Sequence, residues 1–391
     1  MIDRPLIVNA TAIGGRVDGI AVYGVHLVKM LWRAAIDRPL TTILNEDARR
    51  FFPDTEIPAG TSVRWVSAGM SPSRGTAGNV RRWLFANRLA SRHPDAVVFG
   101  LSQLEATIAG TRGVVMVHDM IPLLFREAHP RQAYFYRHYL WRALKYAAAI
   151  VTPSATTRDD VCRYYGIDPV RVHVIPHGSP VPVTAPATAE TGRLRYVLWI
   201  GRSDQTKNLH AVLAAFRTLR RQIDVRLVLA GEGLLADSTV TADGSSLHDR
   251  PTALGPISED RKIALLDEAS VLVCPSLYEG FGFAPLEAMA RGCPVVASRA
   301  GALPEVCGDA AIYVDPRKPE QIAAALLRVL QSPELSREMS ARGRARCHAL
   351  TWEASARAHL AVIDRVARLD PAAHPASAGG RPERLEADAV P

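Results

Sequence analysis

Short apolar runs alternate along the chain with longer stretches whose apolar residues recur at helical spacing. The first series of runs contains PLIVNAT, AVVFG, GVVMVHD, AAIVTPS and VHVIPHG. The second begins at RYVLWIG and continues through VRLVLAG, ASVLVCPS, CPVVAS and AAIYVD. Such runs, bounded by glycine, proline or aspartate, are typical of strands covered on both faces of a parallel sheet. Each series therefore predicts a doubly wound α/β domain, with helices on both faces of an open sheet.

The length of the chain also favours two domains, because 391 residues exceed what one hydrophobic core usually supports. A segment rich in proline, threonine and alanine separates the two series and is predicted to be a linker. The predicted organisation is an N-terminal domain over 1–183, a linker over 184–193, a C-terminal domain over 194–350, a helix over 351–369 that returns to the N-terminal domain, and a disordered tail over 370–391.

Composition argues against several classes of protein. Hydrophobic residues make up 48% and charged residues 22% of the chain, which is ordinary for a soluble globular protein. No apolar run approaches the roughly 20 residues of a membrane span, and the first run is too short for a signal peptide, so we expect a cytoplasmic protein. The five cysteines show no C-x-x-C spacing, which argues against a zinc or redox site and favours reduced, mostly buried thiols.

The net charge of +8 is unevenly distributed. Between Glu56 and Asp95 the chain has no acidic residue, and a predicted helix there places three arginines and an aromatic ring on one stripe: Arg81, Phe85, Arg88 and Arg92. A solvated helix face is the simpler interpretation. The functional hypothesis is contact with an anionic membrane surface or a phosphorylated lipid through Arg81, Arg82, Trp83, Phe85, Arg88 and Arg92. Nucleic acid is not an expected partner, because no aromatic platform or zinc spacing accompanies the arginines.

Candidate ligand-binding residues follow the strands of the second series, since doubly wound sheets bind ligands at the carboxyl ends of their strands. After RYVLWI, Gly201 permits a tight turn, and Arg202 and Lys207 flank the start of a helix. Free N–H groups at a helix start favour anions, so this turn is predicted to bind a diphosphate. The alternative is that either cation is an ordinary surface residue.

A second candidate is the segment YEGFGFAPLEAMARG, which follows the strand ASVLVC. We expect Glu279 in the loop and Glu287 on the first turn of a helix that begins near Pro285. Carboxylates accept hydrogen bonds from vicinal hydroxyls, so the two acids could bind a sugar and a ribose joined through phosphates. For Glu287 alone, stabilisation of the helix dipole is the simpler interpretation.

These motifs resemble glycosyltransferase family 4, whose members are retaining enzymes of the GT-B fold. The resemblance lies in WIGRSDQTKNLHAVLAAF, VLAGEG, the run from ALGPISEDRK to AAIYVDP, and TWE in the second half, and in VHDMIPL, VTPSATTRDDV and VHVIPHG in the first. It implies two Rossmann-like domains that face a central cleft. The chain is similar in particular to mannosyltransferases of bacterial polysaccharide and O-antigen assembly.

The resemblance implies roles for residues of the second half. Glu287 would bind the ribose of the nucleotide, and Arg202 and Lys207 would neutralise the departing diphosphate. Glu279 would bind hydroxyls of the donor sugar, helped by the backbone N–H groups of four residues: Gly280, Phe281, Gly282 and Phe283.

In the first half, the resemblance implies that His118 lies near the anomeric carbon of the donor, with Asp119 orienting its ring. Gly19, in the glycine loop between the first strand and helix, would approach the phosphates or the acceptor. This loop departs from the family pattern, because Ala21 and Val22 stand where a glycine and an arginine are usual.

The implied reaction is transfer of a hexose with retention of its α configuration. No metal or other cofactor is expected, because the chain has no D-x-D motif and two cations are predicted at the diphosphate. The expected donor is GDP-mannose or a GDP-6-deoxymannose, with a UDP- or dTDP-sugar as the alternative. The expected acceptor is a saccharide on polyprenyl diphosphate at the inner face of the cytoplasmic membrane, in lipopolysaccharide or related synthesis. A sugar-nucleotide epimerase or phosphorylase, and a non-catalytic assembly partner, remain as alternatives.

Overall fold

The computed structural model describes residues 4–34, 38–108, 112–183, 194–234 and 251–369. The predicted linker over 184–193 and tail over 370–391 lie outside these ranges. Residue contacts divide the chain into two compact units, one formed by Met1–Gly178 with Trp352–Pro391 and the other by Ser179–Thr351. Each unit has its own parallel sheet.

Among the described residues, the first unit has seven strands: β1 (Leu6–Asn9), β2 (Leu40–Asn45), β3 (Ser62–Val66), β4 (Val97–Gly100), β5 (Gly113–Met116), β6 (Ala149–Thr152) and β7 (Val172–Val174). They are all parallel, in the order β3-β2-β1-β4-β5-β6-β7. The helices between them are α1 (Gly19–Ala34), α2 (Gly75–Arg92), α3 (Ile121–Leu124), α4 (Pro130–Phe135), α5 (Trp141–Tyr146) and α6 (Ala155–Tyr165), with a π-helical turn joining α4 to α5. The order of the strands reverses between β1 and β4, which opens a crevice at their carboxyl ends.

The described strands of the second unit are β8 (Leu194–Ile200), β9 (Arg226–Ala230), β10 (Thr252–Ala253), β11 (Ala269–Cys274), β12 (Val295–Ser298) and β13 (Ala311–Val314). They are parallel, in the order β10-β9-β8-β11-β12-β13, so this sheet reverses between β8 and β11. The helices are α7 (Leu209–Arg220), α8 (Glu259–Glu268), α9 (Phe283–Ala290), α10 (Leu303–Cys307), α11 (Pro319–Gln331) and α12 (Pro333–Ala349).

Strand β11 shows why the apolar runs are continuous. Successive side chains of a strand point to opposite faces of the sheet. Leu272 packs with Leu286 of α9 on one face, while Val271 packs with Phe216 of α7 on the other. Both faces of the strand are therefore buried, and an alternating pattern of apolar and polar residues would leave polar groups in the core.

The last described helix, α13 (Trp352–Ala367), belongs to the first unit and packs against α1. His359 Nδ1 lies 2.8 Å from the carbonyl oxygen of Ser355, which can only accept, so Nδ1 carries the proton. Nε2 then accepts a hydrogen bond from the hydroxyl of Tyr23 at 3.0 Å. A buried hydrogen bond thus joins this helix to α1.

Residues 179–183 differ from the prediction, which assigned them to the N-terminal domain. The structure groups them with the second unit. The backbone N–H of Ser179 donates to the carbonyl of Leu350 at 2.9 Å, and Val181 packs in the same apolar core as Tyr196. The chain therefore enters the second unit before the proline-rich segment.

We predict that acid destabilises the first unit through three buried histidines around Tyr23: His118, His177 and His359. Burial lowers the pKa of His118 and of His359 to about 4, and lowers the pKa of His177 well below its usual value. A histidine whose folded pKa lies below its unfolded value binds fewer protons when folded. Its contribution is therefore intact above the unfolded pKa of about 6.5 and is lost as the pH falls towards 4.

Replacing His359 with glutamine should reduce the stability lost between pH 7 and pH 5 by about 2 kcal/mol, because one group that must take up a proton is gone. Urea unfolding of both proteins at the two pH values measures the difference. The exposed His348 supplies the matched control, and His348→Gln should leave the loss unchanged. If His359→Gln loses as much stability as the wild type between pH 7 and pH 5, the prediction is wrong.

Candidate functional site

The candidate donor site lies at the carboxyl ends of β8 and β11, where the second sheet reverses direction. Three backbone hydrogen bonds connect the loops there: Gly201 N to Ala230 O at 3.0 Å, Gly231 N to Gly255 O at 2.8 Å, and Leu277 N to Thr206 O at 2.7 Å. The loops after β8, β9 and β11 therefore support one another at the place where sheets of this topology bind ligands.

Asp204 organises the turn that carries the two predicted diphosphate ligands. Its Oδ1 accepts hydrogen bonds from the N–H of Thr206 at 3.0 Å and of Lys207 at 3.3 Å, while its Oδ2 accepts one from Arg202 Nε at 2.8 Å. Burial alone would raise the pKa of Asp204, but hydrogen bonds from Thr206 and Arg202 outweigh it and lower the pKa. The Arg202 side chain stays 63% exposed, so its guanidinium is accessible to an anion. Sequence reasoning missed Asp204, although aspartate favours turns because its side chain accepts a hydrogen bond from the backbone N–H two residues on.

Glu279 and Lys207 are in direct contact. Lys207 Nζ lies 2.5 Å from Glu279 Oε1, and Ser276 Oγ donates to the same oxygen at 2.7 Å. Glu279 is only 8% exposed, so the two donors offset the cost of burying its charge. Burial would lower the pKa of Lys207, but attraction to Glu279 outweighs it and raises the pKa, which keeps the ammonium charged. Ser276 was not identified from the sequence.

Glycines shape the loop that follows Glu279. Gly282 has φ +107° and precedes α9, where a side chain would collide with Leu303. Gly301, at φ +54°, lies so close beneath Glu279 that an added Cβ would be 2.5 Å from its carbonyl oxygen. Phe281 is 5% exposed and its ring packs edge-on against Phe283 at 5.4 Å. The contribution of this segment to a ligand would therefore come from its backbone, including that of Gly280.

The sequence predicts Glu287 on the first turn of its helix, but the structure places it on the second. Helix α9 begins at Phe283, two residues earlier than expected, which moves Glu287 to the second turn. Its side chain is buried, and Lys262 Nζ lies 2.7 Å from its Oε1. Stabilisation of the helix dipole is therefore not its role, because it pairs with a lysine of α8. Sequence reasoning missed Lys262, whose signal is a charged residue at an apolar helical position, three residues before Leu265.

In the first unit, His118 follows β5 and is 8% exposed. Its Nε2 lies 2.9 Å from the carbonyl oxygen of Leu101, so Nε2 carries the proton and Nδ1 is left as an acceptor. The ring is thus oriented by Leu101, whereas the carboxylate of Asp119, expected in that role, accepts a hydrogen bond from the N–H of Ile121 at 2.9 Å. With its pKa lowered to about 4 by burial, His118 is neutral at pH 7.

Residues that the sequence did not single out hold the loop between β1 and α1. Glu105 Oε1 accepts from Thr11 Oγ1 and from the N–H of Ala12, both at 2.7 Å. Asn45 Nδ2 donates to the carbonyl of Thr11 at 2.8 Å. Burial raises the pKa of Glu105 to about 7, although these hydrogen bonds oppose it. Gly19 is the exposed first residue of α1, next to this loop.

The expected basic surface of α2 is only partly correct. Arg81, Arg88 and Arg92 are exposed, but Arg82 is 1% exposed and donates to the carbonyl of Met70 at 2.7 Å. The assignment of Arg82 to a contact surface is wrong, because its position on the helix points into the unit.

Trp83 and Phe85, the two aromatic residues of the predicted membrane contact, are half-buried. Phe85 packs against an apolar core that contains Leu89, and the ring of Trp83 lies edge-on to Tyr139 at 6.0 Å. The exposed apolar side chains of this helix are instead Val80 at 51% and Leu84 at 56%. Within the described ranges, no helix is long and apolar enough to cross a bilayer.

In the part of the chain that the structure describes, no three histidine, cysteine, aspartate or glutamate side chains are grouped so as to hold a metal ion. The five cysteines are thiols and not disulfides, and four of them are buried: Cys274, Cys293, Cys307 and Cys347.

We predict that Gly231→Ala disrupts the donor site. Gly231 has φ +138°, and an added Cβ would lie 1.7 Å from the carbonyl oxygen of Gly201. The loss in unfolding free energy should exceed the about 1–2 kcal/mol that left-handed backbone costs by itself. Gly308→Ala is the control in the same unit, since its φ is +57° and its neighbours are at ordinary contact distances. Equal losses for the two variants in urea unfolding would show that the close approach to Gly201 is not important.

Both halves of the chain match family models. The model described as Glycosyltransferase Family 4 matches residues 17–180, and the model described as Glycosyl transferases group 1 matches residues 185–346.

Among characterised relatives, the MMP alpha-(1->4)-mannosyltransferase of Mycolicibacterium hassiacum is 33% identical over 238 residues, which are 57% of this chain and 56% of the relative. The O-antigen chain mannosyltransferase B of Escherichia coli is 30% identical over 260 residues, 62% of this chain and 67% of the relative. The aligned regions thus span from about half to two thirds of these relatives' own lengths.

Solved structures share the fold. Sucrose-phosphate synthase from Thermosynechococcus elongatus superposes with a TM-score of 0.70 at 20% identity, covering 93% of this chain and 99% of that chain. Anabaena HepE in complex with UDP gives a TM-score of 0.66 at 16% identity, covering 93% and 100%. The strand orders, the family models over both halves and these superpositions agree: the chain belongs to glycosyltransferase family 4 and has the GT-B fold, with two Rossmann-like domains.

Proposed function

We propose that the chain is a retaining glycosyltransferase that moves a hexose from a nucleotide sugar to a saccharide carried on polyprenyl diphosphate. The observation that carries the proposal is the contact of Lys207 Nζ with Glu279 Oε1, 2.5 Å apart at the reversal of the second sheet. A carboxylate suited to sugar hydroxyls and a cation suited to phosphate are held side by side there. Membership of the family supports the same activity.

The proposed reaction places opposite charges on the two parts of the donor. As the bond between the sugar and the phosphate breaks, negative charge develops on the diphosphate and positive charge on the anomeric carbon. Arg202 and Lys207 would stabilise the diphosphate, and preorganised charges of this kind are usually the largest single contribution to catalysis. Glu279 would fix the orientation of the sugar by accepting its hydroxyl hydrogens.

Retention of configuration is proposed to follow from attack on the face that the diphosphate leaves. The acceptor oxygen forms the new bond to the anomeric carbon while the old bond to phosphate breaks. The acceptor's proton passes to the departing phosphate oxygen, so atoms and charges balance without a covalent enzyme intermediate. His118 is neutral at pH 7 and would contribute a hydrogen bond to the sugar through Nδ1, not an acidic proton.

The donor is proposed to be GDP-mannose or a GDP-6-deoxymannose, with a UDP- or dTDP-sugar as the alternative. The names of the two relatives given above favour mannose as the transferred sugar. No metal is proposed, because Arg202 and Lys207 supply the positive charge that Mg²⁺ or Mn²⁺ provides in other transferases.

We propose that the first unit docks on the inner face of an anionic membrane, where a polyprenyl-linked acceptor would be embedded. Exposed Arg81, Arg88 and Arg92 supply charge, and each basic group near anionic lipid contributes about 1 kcal/mol. Val80 and Leu84, four residues apart on α2, supply apolar contact in place of the half-buried Trp83 and Phe85.

The first test of the proposed function is turnover of a panel of nucleotide sugars in the presence and absence of acceptor. Release of free nucleoside diphosphate only when acceptor is present supports a transferase. Interconversion of the donor would indicate an epimerase, release of sugar phosphate a phosphorylase, and binding without turnover a non-catalytic assembly partner.

The same assay tests the two cations. Arg202→Ala and Lys207→Ala should each lower kcat by at least about 100-fold, because removal of one charge-stabilising group commonly costs 10²–10³ in rate. Arg217→Ala, an exposed arginine of α7, is the control and should retain full activity. Excess EDTA should have no effect on the wild type. Activity of both variants within a few fold of the wild type, or loss with EDTA that a divalent ion restores, would contradict the assignment.

Membrane docking is tested by sedimentation with vesicles of phosphatidylcholine, with and without phosphatidylglycerol. We expect binding to the anionic vesicles that weakens as salt screens the charges, and loss of binding when Arg81, Arg88 and Arg92 are replaced with glutamine. The control triple variant replaces Arg217, Arg226 and Arg328, exposed arginines of the second unit, with glutamine and should bind normally. Equal weakening in both triple variants would show that net charge, not this surface, determines docking.

A further inference from the structure

Lys262 is a buried lysine with two carboxylate partners. Its Nζ lies 2.7 Å from Glu287 Oε1 and 2.7 Å from Glu259 Oε2. The side chain of Lys262 is 11% exposed, that of Glu287 is 4% exposed, and that of Glu259 is 48% exposed. Because Glu259 and Lys262 both belong to α8, this helix brings the lysine to Glu287 with a charged partner of its own.

The ion pair with Lys262 favours the ionised state of the Glu287 carboxyl group. Burial raises the pKa of Glu287, and the attraction and hydrogen bond of Lys262 oppose that rise. Burial likewise would lower the pKa of Lys262, but the attraction of Glu287 outweighs it and raises the pKa, so the lysine stays charged. Without this cation, a carboxyl group as buried as Glu287 would take up a proton near neutral pH.

Protonation would change how Glu287 interacts with a diol. An ionised carboxylate has about four acceptor positions, whereas a protonated one donates from one of its oxygens. Lys262 occupies one position on Oε1, which fixes the plane of the carboxylate and leaves further positions for two hydroxyl donors. A charged acceptor also makes hydrogen bonds about twice as strong as a neutral one.

We propose that Lys262 is a positioning residue for the nucleotide donor, which holds Glu287 ionised and oriented to accept the two ribose hydroxyls. The inference rests on the proposed function, in which Glu287 binds the ribose. It adds a residue of α8 that acts on the substrate through Glu287. It also explains a charged side chain at a helix position that otherwise faces an apolar core.

Three buried thiols belong to the same apolar core as α9. Burial raises the pKa of Cys274 in β11 to about 11 and of Cys347 in α12 to about 12, and raises that of Cys307 in α10 further. These thiols therefore stay neutral below pH 9. Near α9, a bidentate ion pair between Arg291 and Asp267 joins the end of that helix to α8, with N–O distances of 2.7 and 2.6 Å. This second bridge would hold the helices together when Lys262 is changed.

The test is equilibrium binding of GDP, UDP and dTDP by the full chain between pH 6 and pH 9. The tighter of GDP and UDP is used for the comparisons, because dTDP lacks the 2′ hydroxyl. The affinity of the wild type should change little through titration of Glu287 across this range, because Lys262 keeps that carboxyl group ionised. In Lys262→Met, which keeps the volume of the side chain, the Kd should rise about tenfold for each pH unit below the new pKa of Glu287. Affinity should recover at high pH, where Glu287 ionises.

Matched variants separate this role from simple loss of packing. Lys262→Arg should restore the wild-type profile, and Glu259→Gln should change the Kd by less than about twofold, because that ion pair is half exposed. The double variant Lys262→Met with Glu287→Gln should bind weakly at every pH, since the titrating group has been removed. A structural role alone would weaken binding equally at all pH values in Lys262→Met.

The outcomes distinguish the inference from the function on which it rests. If wild type binds a nucleoside diphosphate and Lys262→Met follows the same pH profile, the positioning role is wrong and the proposed donor site stands. If wild type binds none of the three nucleotides, the proposed function fails and the inference fails with it. Loss of binding at all pH values in Lys262→Met, with its far-ultraviolet circular dichroism and unfolding transition unchanged, would also overturn the positioning role.

Discussion

The cost of removing two carboxylates from water is the constraint on which the candidate donor site depends. Glu279 is 8% exposed and Glu287 is 3% exposed. A buried carboxylate without a partner takes up a proton, and a protonated acid is a poor acceptor for sugar hydroxyls. Each acid is therefore compensated by a lysine, Lys207 for Glu279 and Lys262 for Glu287. The glycines and turns of the second unit serve to bring these pairs into contact.

The two lysines compensate their acids in different ways because their exposure differs. The side chain of Lys207 is 28% exposed and lies in the same turn as Arg202. In the proposed reaction it would exchange part of its contact with Glu279 for a phosphate oxygen. Lys262 is 11% exposed and is held between two acids. A cation that is proposed to follow a leaving group, as Lys207 is, needs freedom to move. A cation that is proposed to keep a binding carboxylate ionised, as Lys262 is, needs to stay in place.

Sequence patterns predicted the fold well and the site in part. Continuous apolar runs predict strands buried on both faces, and glycine after such a strand predicts the ligand-binding edge, so Gly201 and Glu279 follow from local signals. Lys262 and Ser276 could not be found in this way. Lys262 reaches Glu287 across 25 positions of the chain, and Ser276 is a common residue in a loop. Contacts between elements depend on how helices pack, which no local pattern contains.

The surface of α2 shows the same limit of local sequence patterns, here for residues that the sequence did select. Helical spacing correctly groups Arg81, Arg88 and Arg92, but charge by itself does not reveal which arginine is buried. Arg82 is buried, and its guanidinium donates to the carbonyl of Met70 and to Oδ1 of Asn79. Likewise, aromatic residues on a helix are candidate membrane anchors by residue type alone. Large rings nevertheless bury most apolar surface by packing inward.

The buried polar groups of the first unit are compensated differently, and the contrast bears on what each unit would bind. Glu105 is held chiefly by the hydroxyl of Thr11 and by backbone N–H groups, and burial brings its pKa to about 7. His118 is neutral at pH 7 with its proton directed to a carbonyl. The second unit presents paired full charges, which suit a nucleoside diphosphate. Groups that are neutral or close to neutral would form weaker hydrogen bonds to a saccharide than full charges do, which would ease its release. A transferase needs both properties, since it must bind a highly charged donor and still release the saccharide that it has extended.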